Sequence, residues 1–158
     1  MVLGISTNTR LVSIALISQN SLVEHSITLH KSSWSPVKRD SIIASLEPCV
    51  RQYCIKSVVL SIPHAHHQTP AQKELSEAIT IFFQSRQIPV FTKTPKALTA
   101  FCPERKKKRT KEMMRSLVER YPELEPYYRK ELRNKKRYYF KLFEAVAMAV
   151  LGETDIPE

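Results

Sequence analysis

The first thirty positions alternate between short apolar runs and polar clusters, the pattern that is typical of strands joined by tight turns. Strand-like runs occupy 2–6, 11–18 and 22–29, with turn-forming residues at 7–9 and 19–21 between them. The second run is apolar at nearly every position, which suits a central strand that is covered on both faces. The pattern therefore predicts a three-stranded antiparallel meander.

Helical and strand patterns alternate in the middle of the chain. Apolar residues recur at helical spacing after Pro36 and again after Pro70, and each proline follows a hydroxyl residue, as at many helix starts. Short apolar runs at 57–62 and 88–92 follow these helices. A strand–helix–strand order predicts that the two later strands are parallel members of the same sheet.

Helical patterns dominate the remainder of the chain. They predict a short helix at 95–101, a longer one at 111–121 and a final one from about 134 to 151. The prolines between 122 and 126 are expected to break the chain, and Gly152 is expected to stop the last helix.

The length of the chain limits it to one domain. A chain of 158 residues with 42% hydrophobic and 25% charged residues has the composition of an ordinary globular protein with a single core. The predicted architecture is a mixed α/β domain over 1–158. Its five-stranded sheet has three antiparallel strands followed by two parallel strands, with helices on both faces.

Positive charge is concentrated in one part of this domain. Lys and Arg outnumber Asp and Glu by 25 to 15, and the segment 101–140 alone holds 14 basic and 6 acidic residues. This basic helical segment, at about 103–137, has tyrosines interleaved with its second run, a pattern that favours binding of a nucleic acid. A solvated face and a face that binds an acidic protein are the alternatives. The basic residues are Arg105, Lys106, Lys107, Lys108, Arg109, Lys111, Arg129, Lys130, Arg133, Lys135, Lys136 and Arg137.

Other sequence features bear on the cellular location of the protein and on the reactions that it could catalyse. The three cysteines form no Cys-x-x-Cys pair, which argues against a disulfide framework and favours a cytoplasmic location. No apolar run approaches the 18 residues of a membrane span, so we expect no membrane partner. Glycine-rich phosphate loops and the common hydrolase motifs are absent from the sequence.

Two short motifs resemble those of a known family. Gly4-Ile5-Ser6-Thr7-Asn8-Thr9-Arg10, followed by an apolar strand, is similar to the Gly-Ile-Asp-Pro-Gly-Thr/Ser-Arg opening of RuvC-type Holliday-junction resolvases and their YqgF-like relatives. The segment 143–150 is similar to the Asp-Ala-x-Ala-x-Ala of their last helix. With the strand order, the chain resembles the ribonuclease H-like fold over nearly its whole length. The resemblance implies DNA rather than RNA as partner, and a possible homodimer.

The resemblance also implies a set of catalytic carboxylates, most of which this chain lacks. In the family, these acids hold two Mg²⁺ ions about 4 Å apart. The corresponding positions are Ser6, Ser61 and Glu144, and no Asp or Glu occurs at 1–20 or 51–73. Hydroxyls do not replace anionic ligands of a hard cation. The sequence therefore predicts a degenerate site, in a protein that binds nucleic acid without a cofactor and without nuclease activity.

Glu144 has a second, structural interpretation. It lies within the apolar stripe of the predicted last helix. Because a buried carboxylate without a partner is costly, we expect it to pair with a neighbouring group such as Ser6 or Arg10.

A histidine cluster leaves one enzymatic alternative open. His64, His66 and His67 follow the predicted fourth strand, where they could bind a metal ion together with Glu144. In that case the protein would be a nuclease that depends on Mg²⁺ or Mn²⁺.

Overall fold

A computed structural model describes residues 1–101 and 109–155 of the chain. Its strands are β1 Val2–Thr7, β2 Leu11–Ser18, β3 Ser21–Leu29, β4 Ser57–Ser61 and β5 Val90–Lys93. Its α-helices are α1 Pro36–Gln52, α2 Pro70–Gln84, α3 Arg109–Arg120, α4 Glu125–Arg133 and α5 Phe140–Asp155. Short 3₁₀ segments lie at Ala65–His67, Pro95–Phe101 and Pro122–Leu124.

The five strands form one mixed sheet in the order β3-β2-β1-β4-β5. The pairs β1–β2 and β2–β3 are antiparallel, whereas β1–β4 and β4–β5 are parallel. The β2–β3 hairpin turns at Gln19 and Asn20, whose φ angles of 48° and 62° belong to the left-handed region that tight hairpins use. The predicted order and direction of the strands are thus confirmed.

Helices cover both faces of this sheet, as predicted, and bury a separate core under each face. The core on one face joins the sheet to α1 and α2, through residues such as Ile42 and Phe83. On the other face α5 lies against the sheet, with α3 and the start of α4 packed around it. All nine residues of 142–150 are buried. Within the described ranges no helix is long and apolar enough to cross a membrane.

Both glycines of the chain allow α5 to approach the sheet closely. A Cβ atom on Gly4 would lie 2.0 Å from the carbonyl oxygen of Ala145, and one on Gly152 would lie 2.4 Å from Val59 Cγ2. The prediction that Gly152 stops the last helix is therefore wrong, because α5 continues to Asp155. This glycine is required by packing rather than by the end of a helix.

The segment before α5 also differs from the prediction. The prolines at 122–126 do not simply break the chain, since Pro126 lies in the first turn of α4, where proline has no helical hydrogen bond to lose. The last helix begins at Phe140 rather than at 134. Residues 134–139 instead form a loop that joins α4 to α5.

Candidate functional site

Ser6, Ser61 and Glu144 meet at the boundary between the sheet and α5. Ser6 and Ser61 are directly paired on the neighbouring parallel strands β1 and β4. Both hydroxyls donate hydrogen bonds to the same carboxylate oxygen, Glu144 Oε1, at 2.6 Å from Ser6 Oγ and 2.8 Å from Ser61 Oγ. Glu144 is only 4% exposed. The structure thus brings together the three positions that the family resemblance singled out.

A lysine completes this cluster. Lys141 lies one helical turn before Glu144 on α5, and its Nζ is 3.5 Å from Glu144 Oε1. Its side chain is 24% exposed, compared with 5% for that of Glu144. The buried carboxylate is therefore balanced by a cation that keeps access to solvent. Arg10, the other partner that the sequence suggests for Glu144, lines a separate concavity instead.

The cluster forms one wall of a cavity of about 570 Å³. The cavity is lined by hydroxyl groups, by one carboxylate and by basic side chains from three segments of the chain. The lining residues that bear on its chemistry are Thr7, Ser61, His64, Lys96, Arg137, Lys141 and Glu144. Among the lining residues that the structure describes, three permanently cationic side chains thus face one carboxylate, so this lining favours anions.

The donor set of this cavity does not suit the pair of Mg²⁺ ions that the family resemblance implies. Mg²⁺ needs carboxylate or phosphate oxygens in a near-octahedral arrangement. Here Glu144 Oε1 already accepts two hydroxyl hydrogen bonds and lies at ion-pair distance from an ammonium group. Within 1–101 and 109–155, no group of three or more His, Cys, Asp or Glu side chains could hold a metal ion.

The three histidines lie close to one another, but they differ in their position relative to the cavity. His64 lines the cavity. His66 and His67 belong to the exposed 3₁₀ turn after β4, with their ring centroids 4.1 Å apart. The metal set of these histidines with Glu144, which the sequence left open, is not assembled in the part of the chain that the structure describes.

A second concavity, which we call the basic groove, adjoins the cavity and has a volume of about 620 Å³. Arg137 lines both concavities. The groove runs between the β1–β2 turn and the α4–α5 loop, and it is lined by Asn8, Arg10, Leu11, Leu29, Lys130, Asn134, Lys135, Lys136, Arg137, Tyr138 and Tyr139. Five of these residues are cationic and none is acidic. The groove therefore has the electrostatic character of a phosphate-binding surface.

The other predicted basic residues lie elsewhere. Arg129 pairs with Glu125 across one turn of α4, with 2.9 Å between Arg129 Nη2 and Glu125 Oε1. Arg133 is exposed on α4, and Lys111 is half-buried on α3. Arg109 is the first residue of α3. The run Arg105, Lys106, Lys107 and Lys108 lies outside the described residues.

Glu131 fixes the loop that carries much of the groove. Its side chain is buried, and its two carboxylate oxygens accept hydrogen bonds from the backbone N–H groups of Tyr138, Tyr139 and Phe140 at 2.9–3.3 Å. Asn134 Nδ2 also donates to it, at 3.4 Å. These N–H groups belong to the start of α5, where helices lack internal acceptors. Glu131 thus holds the basic loop 134–139 against the end of α4.

Glu131→Gln is expected to lower the free energy of unfolding by about 1–3 kcal/mol, because the amide nitrogen cannot accept these backbone hydrogen bonds. Urea denaturation measures the loss. Glu125→Gln is the matched control on the same helix, since Glu125 makes only an exposed ion pair that is worth less than about 1 kcal/mol. Equal stability of the two variants would contradict this role of Glu131.

Several of these residues could not be found by the sequence patterns. Lys96 belongs to the 3₁₀ segment after β5 and Arg10 to the β1–β2 turn, and only the fold places them near the α4–α5 loop. Glu131 stands within a basic run and gives no periodic signal. Lys141 could have been found, because a lysine three positions before a glutamate on a helix lies beside it.

Comparison with solved structures shows the fold of this chain. It is similar to Thermus thermophilus RuvC in complex with a Holliday junction substrate, with a TM-score of 0.71, 13% identity and coverage of 96% of this chain and 91% of RuvC. A second structure of the same RuvC gives a TM-score of 0.70 at 14% identity, with coverage of 96% and 92%. The chain therefore has the ribonuclease H-like fold of RuvC. No family model and no curated protein matches its sequence.

Proposed function

We propose that this protein binds DNA through the basic groove and the adjoining cavity, and that it does not cleave the DNA by a two-metal mechanism. The carrying observation is the groove itself, whose described lining residues include five cations and two tyrosines and no carboxylate. Phosphates bind such cations, and aromatic rings or their hydroxyls add contacts to bases and sugars.

The second half of the proposal rests on the composition of the cavity. Two-metal hydrolysis requires several anionic ligands close to the phosphate. Glu144 is the carboxylate among the lining residues, and its Oε1 is engaged by Ser6, Ser61 and Lys141. The similar RuvC structure contains a Holliday junction substrate, which makes a four-way DNA junction the first substrate to test.

The test is fluorescence anisotropy with labelled single-stranded DNA, duplex DNA, a four-way DNA junction and an RNA–DNA hybrid. Each is titrated across a salt series with EDTA, Mg²⁺ or Mn²⁺, and every sample is then run on a denaturing gel. We expect binding of the junction with a slope of log K against log salt of roughly −4 to −5, because about five phosphates are neutralised. We also expect uncut DNA in every lane.

The triple variant Lys135→Gln, Lys136→Gln, Arg137→Gln is expected to reduce the slope by about three and the affinity at 0.1 M salt by roughly 500-fold. The matched control removes the same charge from exposed positions away from the groove: Arg51→Gln, Lys56→Gln, Lys73→Gln. Its affinity should stay close to that of the wild type. Absence of binding to all four substrates would overturn the proposal and favour an acidic protein partner. Metal-dependent cleavage would favour a nuclease built on Glu144 and the histidines.

A further inference from the structure

The position of Lys141 bears on how the cavity would treat a phosphate group. Lys141, Lys96 and Arg137 line it from α5, from the 3₁₀ segment after β5 and from the α4–α5 loop. One carboxylate, Glu144, faces them. After Glu144 is balanced, two positive charges remain among the permanently charged lining residues within 1–101 and 109–155. A phosphodiester carries one negative charge, so the cavity can neutralise it with its own side chains.

Lys141 also keeps hydrogen-bonding capacity for a ligand. Its Nζ is 3.5 Å from Glu144 Oε1, which is an ion-pair distance rather than that of a short hydrogen bond. An ammonium group has three N–H donors. Glu144 Oε1 receives its close hydrogen bonds, of 2.6 and 2.8 Å, from Ser6 and Ser61 instead. The carboxylate thus holds the ammonium near the cavity wall without consuming its donors.

The hydroxyl groups of the same wall carry no charge, so they do not repel a phosphate as the carboxylates of a two-metal site would. Thr7 and Ser61 line the cavity beside Glu144. Ser61 is fixed by its hydrogen bond to Glu144, and Thr7 donates to backbone carbonyl oxygens at 2.8 and 2.9 Å. Hydroxyl oxygens arranged in this way compete poorly for Mg²⁺. Their protons are already donated, so a phosphate at this wall would be bound by the cations.

We infer that Lys141, together with Lys96 and Arg137, binds one phosphate of the DNA in the cavity. The Lys141 ammonium supplies there the positive charge that divalent ions would supply in a site built from carboxylates. This inference rests on the proposed function and adds that binding at this subsite is independent of divalent metal.

The test uses the full chain and a fluorescein-labelled four-way DNA junction, with anisotropy measured in EDTA and in Mg²⁺ at equal ionic strength. Wild-type affinity is expected to be no higher in Mg²⁺ than in EDTA. Lys141→Gln should bind roughly tenfold more weakly at 0.1 M salt and reduce the slope of log K against log salt by about one. Lys141→Arg should retain most of the affinity, and Lys73→Gln on the exposed side of α2 is the matched control for charge.

A charge reversal makes the test sharper. Lys141→Asp places a second carboxylate one turn from Glu144, so binding is expected to fall below that of Lys141→Gln in EDTA and to recover when Mg²⁺ is added. Thermal unfolding of each variant confirms that it is folded, which the partial exposure of Lys141 favours.

The outcomes separate the inference from the proposed function. Unchanged affinity and salt slope in Lys141→Gln, together with loss of binding in the groove triple variant, would overturn the inference and leave DNA binding intact. A wild-type protein that needs Mg²⁺ to bind would also overturn it. A wild type that binds the junction in neither buffer would instead refute the proposed function.

Discussion

Replacing Ser6 with aspartate is expected to destabilise the protein by about 3 kcal/mol at pH 8, because two buried carboxylates would then share the space now held by one. Ser6 Oγ is 2.6 Å from Glu144 Oε1, so the new carboxylate would meet the old one directly. Such a pair keeps one proton, and its folded-state pKa rises above the ordinary carboxyl value of about 4. Because the folded protein then binds more protons than the unfolded one, stability is lost as the pH rises through this raised pKa.

Urea denaturation at pH 5 and pH 8 measures this loss, and Ser6→Asn is the matched control. Asparagine has nearly the size of aspartate but carries no charge, so the difference between the two variants reports the cost of the second carboxylate. Added Mg²⁺ is expected to raise the melting temperature of Ser6→Asp, since the two carboxylates now offer it ligands. It should leave Ser6→Asn and the wild type unchanged. Equal stability of the two variants at pH 8 would contradict the buried geometry of Glu144.

Gly4→Ala is expected to cost more than about 3 kcal/mol of unfolding free energy, at the upper end of what overpacking does. The new Cβ would lie 2.0 Å from the carbonyl oxygen of Ala145 and 2.6 Å from the amide nitrogen of Ala149. Both obstacles are backbone atoms of α5, so the helix itself would have to move. Urea denaturation again measures the effect.

Gly152→Ala provides the comparison, with an expected cost of about 1–3 kcal/mol. Its Cβ would meet methyl groups, 2.4 Å from Val59 Cγ2 and 2.8 Å from Val2 Cγ1, and side chains yield more easily than backbone. Truncation by Val59→Ala should therefore recover part of the loss in Gly152→Ala and none of it in Gly4→Ala. A stabilised Gly152→Ala, as expected for an exposed helical glycine, would contradict the close packing of α5.

The sheet could be predicted from the sequence because each strand carries its own local signal. The apolar run of β2 and the short run of β4 are almost wholly buried, and such strands are recognisable without knowledge of their partners. The sequence pattern places the start of α5 too early, at about 134, because the contacts that define this start are not local. Its first turn is defined by hydrogen bonds to Glu131, and contacts of that kind leave no periodic pattern. Proline both breaks helices and begins them, so the sequence alone does not show that Pro126 begins α4.

The residues of the site likewise divide into those that the sequence could place and those that it could not. Ser6, Ser61 and Glu144 could be placed because each lies in a recognisable element of a fold whose topology brings the elements together. The groove could not be placed in full, since Arg10 reaches it from the β1–β2 turn, far from the basic segment in sequence. Surface charges are not constrained by burial, so their spatial grouping is decided by the fold. The cytoplasmic location and the homodimer stay predictions.

The packing of α5 on the sheet also governs the order in which this chain can fold during synthesis. Ala15 and Ile17 of β2 are buried in the core that α5 completes with residues 142–150. At a synthesis rate of about 5–20 residues per second, the interval between the synthesis of β2 and that of α5 is on the order of ten seconds. During that interval one apolar face of the sheet is open to other chains. The nascent protein is therefore most vulnerable to aggregation on the face that later holds the cavity beside Glu144.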